Sequence, residues 1–149
     1  MKTAIEAANF GIENFGIAPR ILVVDDVAVN REILKRWLSR RGFSVTEAAD
    51  GQEAIRIVEL GEIDLVLLDI MMPNLNGTEV LRTIRRTRSR SDLPIVMVTA
   101  KCFSGDVAQC LDLGANDYMS KPVDFKLLLA VIEEQVGAMR AIVAAPVVE

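Results

Sequence analysis

Histidine is missing from this chain altogether, and aromatic residues are scarce: one tryptophan, one tyrosine and five phenylalanines in 149 residues. Without histidine there is no imidazole zinc ligand, no imidazole general base and no histidine phosphocarrier. Cysteine is rare as well. Cys102 and Cys110 fall eight residues apart in what reads as helix, about 12 Å along its axis, too far for a disulfide. Free thiols suit a reducing compartment. No apolar run approaches the roughly 18 residues of a membrane span. The first residues lack the basic start, apolar core and small-residue cleavage site of a signal peptide. These absences lead to the expectation of a cytoplasmic protein that does not enter a membrane. A net charge of −4 argues against general polyanion binding.

What is present is an alternation of two patterns. Short apolar runs at 20–25 (RILVVD), 44–48 (SVTEA), 63–69 (IDLVLLD), 94–99 (PIVMVT) and 117–120 (DYMS) read as strands. Between them, 28–41, 51–60, 77–87, 104–113 and 125–136 carry apolar residues at helical spacing. Gly42, Gly61 and Gly114 stand where the first, second and fourth helices should stop. Strands alternating with helices predict an α/β fold, a doubly wound parallel sheet of five strands in one domain. Strands 1, 3 and 4 are the most apolar and should be central. Strand 2 alternates and should lie at an edge. Residues 20–136 carry the pattern. Residues 1–19 read as an arm or linker, and 137–149 as a tail or a prolongation of the last helix.

In such a sheet, sites form beyond the carboxyl ends of the strands. Strand 1 ends on Asp25 and Asp26, strand 3 on Asp69, strand 4 on Thr99, and strand 5 on Lys121 and Pro122. Taken singly, each has an ordinary reading. The aspartate pair could cap the first helix, Asp69 could belong to a turn, and Lys121 could be a solvated loop lysine. Taken together they are harder to explain that way, because three adjacent carboxylates repel unless a cation sits among them. Oxygen ligands alone select a hard cation, and Mg²⁺ fits best, since it combines a few carboxylates with waters and phosphate oxygens. Lys121 and Thr99 could then stabilise charge on a transferring phosphoryl group, with Asp69 as nucleophile.

Four stretches in this order, ILVVDD (21–26), LLDIMMPNLNG (67–77), VTA (98–100) and GANDYMSKP (114–122), make the chain similar to the receiver domains of bacterial two-component response regulators. The resemblance covers about 20–136. It implies a flavodoxin-like (βα)5 fold with strand order 2-1-3-4-5. It implies that Asp69 accepts a phosphoryl group from a histidine kinase or histidine phosphotransfer domain, and that the chain turns over no external substrate. It further implies that Asp26 and Asp69 ligate Mg²⁺ directly, Asp25 through water, and Met71 through its backbone carbonyl. Thr99 and Lys121 would bind the phosphoryl oxygens, and the Lys121–Pro122 bond would be cis. Tyr118 would be a switch residue that turns inward behind Thr99. A dehalogenase-like phosphatase also uses a strand-end aspartate and Mg²⁺, but it requires a second aspartate where Met71 stands.

Two segments stand outside that set. Arg82, Arg85, Arg86, Arg88 and Arg90 crowd the end of the third helix. They read as a solvated helix end, favoured by the helix dipole, or as a docking surface for an acidic partner. No aromatic residues interleave, which disfavours direct nucleic-acid binding. If the last helix continues, Leu128, Ile132, Val136, Met139 and Val143 form an apolar stripe. That stripe, or the helix 4–strand 5–helix 5 face, could support a homodimer.

Overall fold

The computed structural model describes residues 18–100 and 104–148; of 104–106 and 138–148 it describes the backbone alone. Five parallel strands form one sheet: β1 (Arg20–Val24), β2 (Ser44–Ala48), β3 (Leu65–Asp69), β4 (Ile95–Thr99) and β5 (Asp117–Ser120). Their order is β2-β1-β3-β4-β5. The helices are α1 (Ala28–Arg40), α2 (Gly51–Glu59), α3 (Gly77–Ile84), α4 (Ser104–Asp112) and α5 (Phe125–Val148). Both the doubly wound class and the strand order are as expected.

Strand composition follows position. Every residue of β3 and β4 is buried, because these strands are covered on both faces and cannot afford a polar side. Alternate residues serve different cores. Leu22, Val24, Val66, Leu68, Ile95 and Met97 face one way and meet Ala54, Val58, Val80 and Leu81 of α2 and α3. Ile21, Val23, Leu65, Leu67, Val96 and Val98 face the other way and meet Leu34 and Leu38 of α1 and Leu128 and Ile132 of α5. On that second face Trp37 stacks on Phe125, ring centres 4.8 Å apart, and Arg41 lies over the indole at 3.9 Å. The edge strands β2 and β5 alternate between exposed and covered positions.

The three glycine stops hold: Gly42, Gly61 and Gly114 have φ of 92°, 78° and 112°, a region in which a side chain is strained. One alternative reading falls away and one segment differs from expectation. Neither Asp25 nor Asp26 caps α1; the cap position is Val27, with no side-chain cap. Asp25 Oδ1 accepts the Val27 N–H at 2.9 Å instead, so that carboxylate serves the site side of the turn. The third helix ends at Ile84 rather than Thr87, and its arginines are not simply a solvated end. Arg85 Nε donates to the Gly114 carbonyl at 2.8 Å and its Nη2 to Asn116 Oδ1 at 2.9 Å. Its Nη1 reaches the carbonyls of Arg88 and Ser89. Burial first, then Arg90 and Arg88, bring its pKa down to about 10. Arg90 bonds the Leu111 carbonyl and Arg88 pairs with Asp92. Arg82 and Arg86 are exposed. Three of the five arginines therefore tie the α3–β4 connection to itself and to the end of α4. Cys110 is a buried thiol; Cys102 lies outside the described residues, as do residues 1–17.

Gly77 does more than start a helix. A methyl group there would stand 2.3 Å from the Asp69 carbonyl oxygen and 2.7 Å from the Ile70 Cα, and the Gly77 N–H donates to the Ile70 carbonyl at 2.9 Å. The first turn of α3 is thus pressed against the backbone that carries Asp69. Gly77→Ala is expected to cost roughly 1–3 kcal/mol in urea unfolding, the range of an overpacked core. Gly137→Ala, where nothing lies within 4 Å, is expected to be neutral or to stabilise α5 by up to about 1 kcal/mol.

Candidate phosphoacceptor site

Parallel pairing puts the strand ends level with one another. Val24 is in register with Leu68, Asp69 with Val98, and Thr99 with Ser120. β1 and β3 are neighbours, yet β1 is followed in the chain by β2 on its other side. The order therefore reverses between them, and a crevice opens where Asp25 and Asp69 face each other. Asp25, Asp26 and Asp69 each place a carboxylate oxygen within 4.8 Å of the others. Asp25 and Asp69 are buried, 3% and 5% exposed, and Asp26 is exposed.

Lys121 reaches this cluster from the β5–α5 connection. Its Nζ lies 2.8 Å from Asp25 Oδ2 and 3.2 Å from Asp69 Oδ2. The Lys121–Pro122 bond is cis, as expected, and the Lys121 N–H donates to the Thr99 carbonyl at 2.8 Å, which ties the lysine to the end of β4. The other oxygen of Asp69, Oδ1, accepts the Met71 N–H at 3.1 Å.

Burial raises the pKa of Asp69 and the Asp25 charge adds to the rise; Lys121 and the Met71 N–H oppose it without cancelling it. For Lys121, burial works to lower the pKa, but the hydrogen bond to Asp25 and the charges of Asp69 and Asp25 outweigh it, and the net shift is upward. One ammonium thus serves two carboxylates, and Asp69 remains short of positive charge. Hard oxygen ligands, negative charge beyond what Lys121 neutralises and one exposed carboxylate are what a divalent cation would need. The described residues fit a metal ion here.

Thr99 is 2% exposed, at the end of β4. Tyr118 is 38% exposed on β5, two residues before Ser120, the partner of Thr99. Met71 is 52% exposed beside Asp69, whereas Met72 is buried in the core. Asp25, Asp26, Asp69, Thr99 and Lys121 are therefore gathered at one edge, and Tyr118 lies on the edge strand β5, in register with Met97. The sequence reading missed Asn30 and Arg31. Asn30 Nδ2 donates to Asp25 Oδ2 at 3.3 Å and Arg31 Nη1 to the Asp25 carbonyl at 2.7 Å. Their position in the first turn of a helix that begins three residues after Asp25 was the available signal.

A parallel sheet whose strand ends gather buried carboxylates around a lysine defines a class, the α/β domains that handle phosphoryl groups at a switch point. Comparison with known proteins narrows it. Residues 21–133 match the family model for the response regulator receiver domain. Response regulator MprA of Mycolicibacterium vanbaalenii is 47% identical over 111 residues, which cover 74% of this chain and 47% of that protein. A solved CheY-like receiver domain from Methanospirillum hungatei superposes with a TM-score of 0.77 at 31% identity, covering 82% of this chain and 96% of that one. A receiver protein from Pseudomonas putida gives 0.73 at 34%, covering 79% and 98%. The chain belongs to the response regulator receiver family, whose general role is phosphorylation-dependent signalling in two-component systems. It spans about half the length of the curated relatives it matches. Among the described residues no helix is long and apolar enough to cross a membrane.

The upward shift of Asp69 sets a sign. A carboxyl that holds its proton more tightly when folded than when unfolded loses stability as pH rises through the interval between the two pKa values. With divalent cations chelated, Asp69→Asn is expected to melt higher than the native chain at neutral pH. The gap should close as pH falls below the ordinary carboxylate range, and thermal melts across pH 3–8 measure it.

Proposed function

We propose that Asp69 is the phosphoacceptor of a signalling switch, phosphorylated by the phosphohistidine of a histidine kinase or histidine phosphotransfer protein. The observation that carries this is Lys121 held between Asp25 and Asp69 at a cluster of three carboxylates. An Asp69 carboxylate oxygen attacks phosphorus, the P–N bond to the donor imidazole breaks, and the imidazole takes a proton as it leaves. No general base is required for a carboxylate nucleophile. Lys121 exchanges its contacts with Asp25 and Asp69 for one with a phosphoryl oxygen, and the Thr99 hydroxyl donates to another. Mg²⁺ is the metal proposed, held by Asp26 and Asp69 directly, by Asp25 through water and by the Met71 carbonyl; when bound it neutralises charge on the transferring group. The chain catalyses only its own phosphorylation and dephosphorylation.

The switch works by the added charge. Drawing Thr99 toward the phosphoryl group opens space behind it, and the half-exposed Tyr118 turns into that space. The α4–β5–α5 face changes as a result. We assign the receiver to residues 20–136, with 1–19 an arm or linker and 137–149 an extension of the last helix or a tail. A homodimer forms through the α4–β5–α5 face or the prolonged α5, and nucleic acid is not contacted directly. The site of action is the cytoplasm.

Acetyl phosphate with Mg²⁺ is expected to label the native chain by intact mass. Asp69→Asn should abolish labelling, and Lys121→Met should slow it by roughly a hundredfold, the scale of one lost oxyanion donor. Full labelling of Asp69→Asn would refute the assignment. Light scattering with and without beryllofluoride and Mg²⁺ is expected to show a rise from monomer to dimer mass, and an unchanged monomer would remove the dimer from the proposal.

A further inference from the structure

Asp25 is held from several sides by groups outside the carboxylate cluster. Its Oδ1 accepts the Val27 N–H at 2.9 Å. Its Oδ2 accepts two donors, Lys121 Nζ at 2.8 Å and Asn30 Nδ2 at 3.3 Å. Its main-chain carbonyl accepts Arg31 Nη1 at 2.7 Å. Arg31 is itself braced by Glu47 of β2, Nε to Oε1 at 3.2 Å. Asn30, Asp25 and Lys121 all line a cavity of about 270 Å³ between α1 and the start of α5.

The two donors on Oδ2 are not equivalent. Lys121 also contacts Asp69, so any reaction that places a phosphoryl group on Asp69 gives the ammonium a stronger anionic partner. Asn30 has no such rival: its carboxamide is neutral and is carried by the first turn of α1, which Arg31 anchors through the same turn. We propose that Asn30 is a positioning residue of the metal-binding cluster, holding Asp25 Oδ2 when Lys121 leaves it, with Arg31 fixing the main chain beneath. This rests on the reading of the acidic pocket as a magnesium site. A carboxylate with one oxygen anchored and the other released can turn about its last torsion, and outer hydrogen bonds of this kind keep a ligand set oriented toward its metal. The residue type suits the task. A lysine at position 30 would compete with the cation, and a carboxylate would add repulsion to a site already overfilled with negative charge.

The test is a calorimetric titration of Mg²⁺ into the unphosphorylated full chain. Native protein, Asn30→Leu, Lys121→Met and the double variant are compared, with thermal melts in chelator to report folding separately. Asn30→Leu is expected to weaken Mg²⁺ binding by up to about tenfold, the lower end for an outer partner of a metal ligand. The factor should be larger in the Lys121→Met background, because Asn30 is then the remaining side-chain donor on Oδ2. Asn30→Ala, which removes the amide without adding bulk, gives the same reading should leucine disturb α1. Unchanged Mg²⁺ affinity on substituting Asn30 in both backgrounds overturns the inference, and so does an equal factor in the two. A native chain that binds no Mg²⁺ overturns the magnesium reading itself.

Discussion

A single ammonium group shared between two buried carboxylates is what the upper edge of this sheet depends on. Asp25 and Asp69 sit side by side because β1 and β3 are neighbours in register, and both are almost wholly out of water. Two ionised groups so placed repel each other and lose hydration. Lys121 at 2.8 and 3.2 Å offsets part of that, but Asp69 still holds its proton more tightly than an ordinary carboxylate. The remaining imbalance is useful. A site left short of positive charge is one that a divalent cation can rebalance.

Much of the surrounding structure exists to hold that arrangement still. β3 and β4 spend every side chain on the two cores, which fixes the height at which Asp69 and Thr99 emerge. The absence of a side chain at Gly77 lets α3 press against the Asp69 carbonyl, and the Met71 N–H pins one carboxylate oxygen. On the other side of the crevice, Val27, Asn30 and Arg31 hold Asp25 by three separate atoms. The Lys121 main chain is tied to the Thr99 carbonyl, which joins the β5–α5 connection to the end of β4.

The opposite end of the sheet is organised by a different cation. Arg85 is half-buried and bonded to neutral acceptors, the carbonyls of Gly114, Arg88 and Ser89 and the Asn116 amide oxygen. Asn116 passes the connection on to the Ile95 N–H, the Arg90 carbonyl and Gln135 of α5. A guanidinium offers five donors in a fixed fork, and here those donors reach three turn carbonyls and one side-chain amide oxygen. Charge counting along the sequence could not separate Arg85 from its exposed neighbours Arg82 and Arg86, since the distinction lies in which carbonyls the fold brings near.

The sequence by itself determined the alternation of strands and helices, the central place of β1, β3 and β4, and the acid, hydroxyl and lysine set at the strand ends. These follow from period, apolar content and glycine stops, all of which are local properties of a chain folding into a buried parallel sheet. The tertiary structure alone decided that Asp25 accepts from Val27 rather than capping α1, that one lysine bridges two carboxylates, that Asn30 and Arg31 stand behind the site, and that Gly77 is a point of backbone contact. Each of those depends on distances between segments far apart in the chain or on the exact pitch of a first helical turn. Hydrogen bonds and steric contacts are settled within a few tenths of an ångström, and hydropathy carries no information at that scale.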